Sequence, residues 1–300
     1  MKRSFCVLIA VLGLFLLVAP ANAVKIPFYL DLPTGVGTGD GVTGLMNQIS
    51  FVQDSEIIQD AILGTPAGLF TENGVAFSDA FTFVNVGNDN EGLNDTVNTG
   101  GYEMTMVFNN LSGVANSFDE ATETANFTFF PTGTIEFWVD TDIDRTENID
   151  TTNPRFNTAY SNYDDGIQIA ELSVLNGQGS LDVGGQNRGN GGTFLTLQFI
   201  NDSSYHGIWF DEDGVDLVQN FASLNLMIGL VDTTQTDLES YPYFDITDID
   251  DTVDQYTFLS AGNGGLEISV VPEPTTMLLL GMGLLGLAGL GRMKISKKKD

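Results

Sequence analysis

Residues 133–141 read Gly-Thr-Ile-Glu-Phe-Trp-Val-Asp-Thr. Ile135, Phe137 and Val139 alternate with Glu136, Trp138 and Asp140. That period of two fits a strand with one apolar and one polar face, and it fits no helix. The same alternation returns along the chain. Phe81 and Phe83 share a face, as do Met104, Met106 and Phe108, and Phe127 and Phe129. Ile167-Gln-Ile-Ala-Glu-Leu172, Phe194-Leu-Thr-Leu-Gln-Phe199 and Leu224-Asn-Leu-Met-Ile-Gly-Leu230 continue it. Clusters of Gly, Asn, Asp and Ser separate these runs, as turns require.

Strands do not alternate with helices. The expected fold class is therefore all-β, an antiparallel β-sandwich of jelly-roll type. Two short helices are expected, one around Ile57, Ile58, Ala61 and Ile62, the other around Val215, Val218 and Phe221. Ser112–Thr124 and Asn148–Asp165 read as long polar loops, and Gly262–Ser269 as a tether.

The chain has 300 residues and a formal net charge of −29. Between residues 24 and 270, four basic residues (Lys25, Arg145, Arg155 and Arg188) face 38 acidic ones, a net charge of −34. Such a surface repels nucleic acid and anionic lipid and attracts cations. The single cysteine, Cys6, lies at the extreme N-terminus.

That N-terminus reads as a secretory signal. Lys2 and Arg3 precede an apolar core, Phe5–Val18, and Ala21-Asn22-Ala23 is a cleavage site. Removal of residues 1–23 removes Cys6, so the mature chain has no thiol and no disulfide.

At the other end, Pro272-Glu273-Pro274 precedes an apolar run, Thr276–Gly291, and then Arg292, Lys294, Lys297, Lys298 and Lys299. As a helix this run spans about 24 Å, short of a hydrocarbon core of roughly 30 Å. The basic cluster keeps the tail cytoplasmic and the body outside. Gly281, Gly283 and Gly286 spell a dinucleotide-binding pattern, but no strand precedes it, so the match is accidental.

Several residues bear on chemistry. Asp140, Asp142 and Asp144 form a D-x-D-x-D run, and Asp211, Asp213 and Asp216 a second acidic knot. Calcium, which takes six to eight oxygens, is the cofactor expected there, if any. The alternative is a solvated acidic turn. The first is not an EF-hand, since Arg145 stands where that loop needs glycine. Trp138, Trp209 and Tyr205 are candidate sugar contacts, because aromatic rings beside carboxylates and amides suit sugar faces. The alternative for both tryptophans is the core. His206 is the only histidine. No nucleophile motif accompanies it, and no catalytic residue is expected.

The C-terminal pattern resembles the PEP-CTERM sorting signal of Gram-negative bacteria. The resemblance implies a transient inner-membrane anchor at residues 276–291 and processing by an exosortase-type enzyme near the Pro-Glu-Pro. It also implies release to the cell surface or the exopolysaccharide matrix. A permanent single-span anchor is the alternative.

A second resemblance concerns the body. Glu91-Gly-Leu-Asn94, Tyr102-Glu-Met-Thr-Met-Val-Phe108, Gly133–Thr141 and Ile228-Gly-Leu-Val-Asp-Thr233, in that order, resemble the flocculation-associated PEP-CTERM proteins. This resemblance implies a non-enzymatic protein that helps cells aggregate through exopolysaccharide. A carbohydrate-binding module and a polysaccharide-modifying enzyme are the alternatives. The expected organisation is a signal peptide (1–23), a secreted β domain (24–261), a tether (262–271) and the sorting segment (272–300).

Overall fold

A computed structural model describes residues 24–36, 41–60, 68–84, 87–89, 93, 101–119, 121, 124–142, 146–147, 160–182, 190–224, 226–236 and 255–270. The signal peptide, the sorting segment and Asp144 lie outside these residues. Lys25–Ser269 forms one compact unit.

The first strands are β1 (Val24–Lys25), β2 (Phe28–Leu30), β3 (Met46–Asp60), β4 (Leu69–Phe83) and β5 (Gly87–Asp89). Next come β6 (Glu103–Asp119), β7 (Thr124–Phe129), β8 (Thr134–Asp140), β9 (Thr146–Glu147) and β10 (Tyr160–Ser161). The last are β11 (Ile167–Asp182), β12 (Asn190–Phe199), β13 (Trp209–Asp211), β14 (Leu226–Thr236) and β15 (Gln255–Val270). One helix, α1 (Leu217–Leu224), and a 3-10 turn at Ser203–Tyr205 complete the described elements.

Every strand pairing for which a register is defined is antiparallel, in agreement with the all-β sandwich expected. The main ladder also closes on itself. It runs β3–β4–β6, then β7 and β8 side by side in sequence, then β11–β12–β14–β15, and β15 pairs back onto β3. Closure leaves these strands no free edges to template association.

β7 and β8 together act as one strand broken by a bend. β7 pairs with Gly113–Asp119 and β8 with Glu103–Asn109 of the same partner, β6. At the break, Gly133 has φ of +86° and Asn110 opposite has φ of +54°. Glycine adopts this left-handed region freely, and asparagine is among the few other residues that tolerate it.

The inward faces fill as the alternation predicts. Ile135, Phe137 and Val139 are buried, as are Met104, Met106 and Phe108. At one end of the core Trp209 is fully buried. Its ring lies 5.9 Å from Phe28, 5.7 Å from Phe137 and 5.3 Å from Phe199, and its indole N–H donates to Ile169 O at 2.9 Å.

Three expectations need correction. Ile57 and Ile58 belong to β3, not to a helix, because β3 is paired on both sides, to β4 and to β15. Two-sided pairing and β-branched residues outweigh a weak helical periodicity. Ser112–Asp119 is not a loop but the second half of β6, a strand of 17 residues. Its inward residues there are Gly113 and Ala115, too small to give an apolar signal. Gly262–Ser269 is not a tether. It is part of β15, with Gly262, Gly264 and Gly265 opposite Gln53, Phe51 and Ser50 of β3. The helix expected around Val218 and Phe221 is present as α1.

Candidate functional site

The outer face of β8 carries Glu136, Trp138 and Asp140, all partly exposed. Glu136 stands directly opposite Glu171 on β11, and Trp138 opposite Gln168. Directly opposed residues place their Cβ atoms about 4.5–5.5 Å apart, and like charges so placed destabilise a ladder. On the other flank Val107 and Thr105 of β6 face Glu136 and Trp138. The Thr105 hydroxyl is turned away, donating to Tyr163 O at 2.6 Å.

Burial therefore pushes the Glu136 carboxyl above its ordinary range. The Trp138 indole N–H draws it partly back, and the charges of Glu171 and Asp164 push it up again. That indole N–H is buried and makes no well-directed hydrogen bond. Its pull on Glu136 is thus one of proximity rather than of a formed bond.

Tyr205 stands on the 3-10 turn. Asp202 caps that turn, its Oδ1 accepting from the Ser204 N–H at 2.9 Å and from the Ser204 hydroxyl at 2.8 Å. These bonds hold the Asp202 carboxyl below its usual range. Tyr205 is buried, and burial raises its phenol pKa. The charges of Glu171, Asp202 and Glu136 raise it further, and the turn that carries it packs against β11. Trp138, Glu136 and Glu171 thus share one outer patch of β8 and β11, and Tyr205 stands on the turn packed against β11.

Of the three candidate sugar contacts, the fold leaves Trp138 partly exposed, buries Tyr205 to 7% exposure and sends Trp209 to the core. Trp209 is 0% exposed. A ring with no accessible face cannot stack on a sugar, so that expectation is corrected in favour of the core alternative. Glu171 carries no signal of its own in the sequence. Cross-strand register brings it to the site, and one strand's alternation does not contain register.

In both acidic knots carboxylates accept from nearby backbone N–H groups. Asp211 Oδ1 accepts from the Asp213 N–H at 3.0 Å and the Val215 N–H at 2.8 Å, closing a tight turn. Asp216 caps α1, its Oδ1 accepting from Gln219 N–H at 2.9 Å and its Oδ2 from Gly207 N–H at 2.7 Å. Asp140 Oδ1 accepts from Asp142 N–H at 2.9 Å. Among the described residues, no three acidic, histidine or cysteine side chains gather to hold a metal, so Asp211, Asp213 and Asp216 do not converge. His206 sits in the loop after the 3-10 turn, its Nε2 2.7 Å from Asn201 Oδ1.

Residues 270–292 match the PEP-CTERM protein-sorting motif. The match covers Pro272, Glu273, Pro274, the apolar run and Arg292. It indicates an exported protein sorted by exosortase, with a C-terminal anchoring signal and a cell-surface destination. No curated protein and no solved structure matches the chain. Among the described residues no helix is long and apolar enough to cross a membrane; the apolar run itself lies outside them.

Proposed function

We propose that the exported body is a non-catalytic matrix protein that promotes cell aggregation by contact with exopolysaccharide. The supporting observation is the Trp138–Glu136–Glu171 patch on the outer β8–β11 face. A half-buried indole beside carboxyl groups offers a ring for a sugar face and acceptors for its hydroxyls. Calcium held by Asp140, Asp142 and Asp144 would bridge the acidic surface to acidic polymer.

Deletion of the gene, with exopolysaccharide synthesis intact, is the test. Flocs should disperse, and a Trp138→Ala copy should restore them only in part. Undiminished flocculation in the deletion strain removes the reading. Calcium has its own check, a rise in melting temperature at millimolar calcium that Asp140→Asn abolishes.

The same glutamate pair favours a second reading, a polysaccharide-modifying enzyme. A pair of neighbouring carboxyl groups, one of them pushed up in pKa, supplies the residue types that glycoside hydrolysis uses. Release of reducing ends from purified exopolysaccharide, lost in Glu171→Gln, would establish it.

A further inference from the structure

Further along the outward side of the same ladder lies a stretch whose side chains do not ionise. Five strands lie side by side there, and their register aligns one outward row: Leu69 of β4, Val114 of β6, Thr128 of β7, Gln178 of β11 and Phe194 of β12. A second row, Ser117, Asn126 and Ser180, runs parallel to it. No member is ionisable. Acidic residues flank the rows, Glu171 towards one end, and Asp119 of β6 and Asp182 of β11 in the next row at the other. In a chain with 40 acidic residues and 11 basic ones, the two rows themselves carry no fixed charge, although acidic residues flank them.

The groups on this face are ordered. Asn116 Nδ2 donates to the Thr128 hydroxyl at 2.6 Å, and Asn126 Nδ2 to the Ser117 hydroxyl at 3.3 Å. Phe194 is 36% exposed and Leu69 53%, at opposite ends of the row.

We propose that this face docks a neutral polysaccharide chain laid across the strands. The proposal rests on the reading of the protein as a polysaccharide-binding matrix component and gives it a second contact surface. Strands lie about 4.8 Å apart, close to the roughly 5 Å advance of each ring in an extended sugar chain. Successive rings therefore meet successive strands, and amides and hydroxyls fixed by their own hydrogen bonds meet sugar hydroxyls at little entropic cost. Phe194 offers a ring to a sugar face at one end.

A second copy of the chain is the poorer occupant. The apolar groups stand at the two ends of the row, about 19 Å apart by strand spacing, with polar groups between. They form no continuous apolar centre of the kind a stable protein interface needs. Two glycan-contacting faces on one body would cross-link polymer, and linked sites raise avidity without new contacts.

The test is affinity electrophoresis of the secreted protein in gels containing hydroxyethyl cellulose or dextran, both neutral, or alginate, which is acidic. Retardation is expected in a neutral polymer and not in alginate. Phe194→Ala and, separately, Gln178→Glu should each weaken it about fivefold or more while leaving the near-ultraviolet dichroism unchanged. Both sites are exposed, so neither variant depends on the core.

No retardation by either neutral polymer overturns the proposal. So does equal retardation of Phe194→Ala, Gln178→Glu and the parent. If Trp138→Ala alone abolishes retardation, this face is not the site, yet the broader polysaccharide reading survives. A parent dimer that Phe194→Ala dissociates in sedimentation also overturns it, assigning the face to a second copy.

Discussion

Glu136 and Glu171 face one another directly across the β8–β11 ladder. Asp164 adds a third negative charge nearby. The Glu136 pKa is raised in the folded state above its ordinary 4.5. A carboxyl raised on folding favours the native state while protonated. That contribution is fully present below the unfolded value and is lost as pH rises through the folded value. Glu136→Gln keeps the shape and cannot ionise. It should therefore melt higher than the parent at pH 7 and converge with it below pH 4.5. Parallel thermal melts across this range check it. A variant less stable than the parent at pH 7 would mean that the carboxylate is stabilised by a partner rather than strained.

Trp209 ties four strands, β2, β8, β11 and β12, into one end of the core. Its ring meets Phe28, Phe137 and Phe199, and its N–H satisfies Ile169 O. Removing such a side chain costs about 3–5 kcal/mol in transfer and cavity terms. Trp209→Ala should lose about that much in urea unfolding. Trp209→Phe retains most of the volume but orphans the carbonyl, and should lose less. Equal stability of all three forms would contradict the core assignment.

The class of the fold was legible because Ile135, Phe137 and Val139 alternate with polar residues, and burial follows that alternation. What alternation cannot carry is pairing. Glu171 meets Glu136 through register, and β15 reaches back to β3 across some 200 residues of chain. Strands whose inward residues are small were invisible: Gly113 and Ala115 in β6, and Gly262 and Gly264 in β15, look like loop to any hydrophobicity pattern. The candidate site was half legible for the same reason. Trp138 lies on a readable strand, whereas Tyr205 arrives on a turn whose position depends on the Asp202 cap. The acidic knots are ambiguous in sequence because side-chain carboxylates that cap backbone N–H groups have the same spacing as carboxylates that wrap a cation.

Asp216 shows this most directly. It holds both the first turn of α1 and the Gly207 N–H of the preceding loop. Replacing a helix cap by alanine costs about 0.5–2 kcal/mol. Asp216→Ala should sit in the upper half of that range, since two N–H groups lose their acceptor, and Asp216→Asn should recover much of it. Melting temperatures of the three proteins, each with and without a chelator, separate this role from metal binding. A chelator that lowers the parent to the level of Asp216→Ala would restore the calcium expectation for this loop.

Gly74 pairs with Phe108 across β4 and β6, and the Phe108 ring packs against the space a side chain would take. A Cβ at this position would overlap the ring and come within 2.6 Å of Asp54 O on the neighbouring strand. The ring borders a cavity of about 20 Å³ that Glu72, Gln53 and Phe129 also line. That is room for about one water molecule and not for an aromatic ring. The Asp54 carbonyl belongs to a strand paired on both sides and cannot retreat. Gly74→Ala should therefore destabilise by about 1–3 kcal/mol, the usual cost of overpacking. Thr71→Ala, three residues away on the outward face of the same strand, should fall within about 0.5 kcal/mol of the parent. Urea midpoints of the pair decide it. If Gly74→Ala matches Thr71→Ala, the ring is not pinned against β4, and the close approach of the two strands is looser than the packing implies.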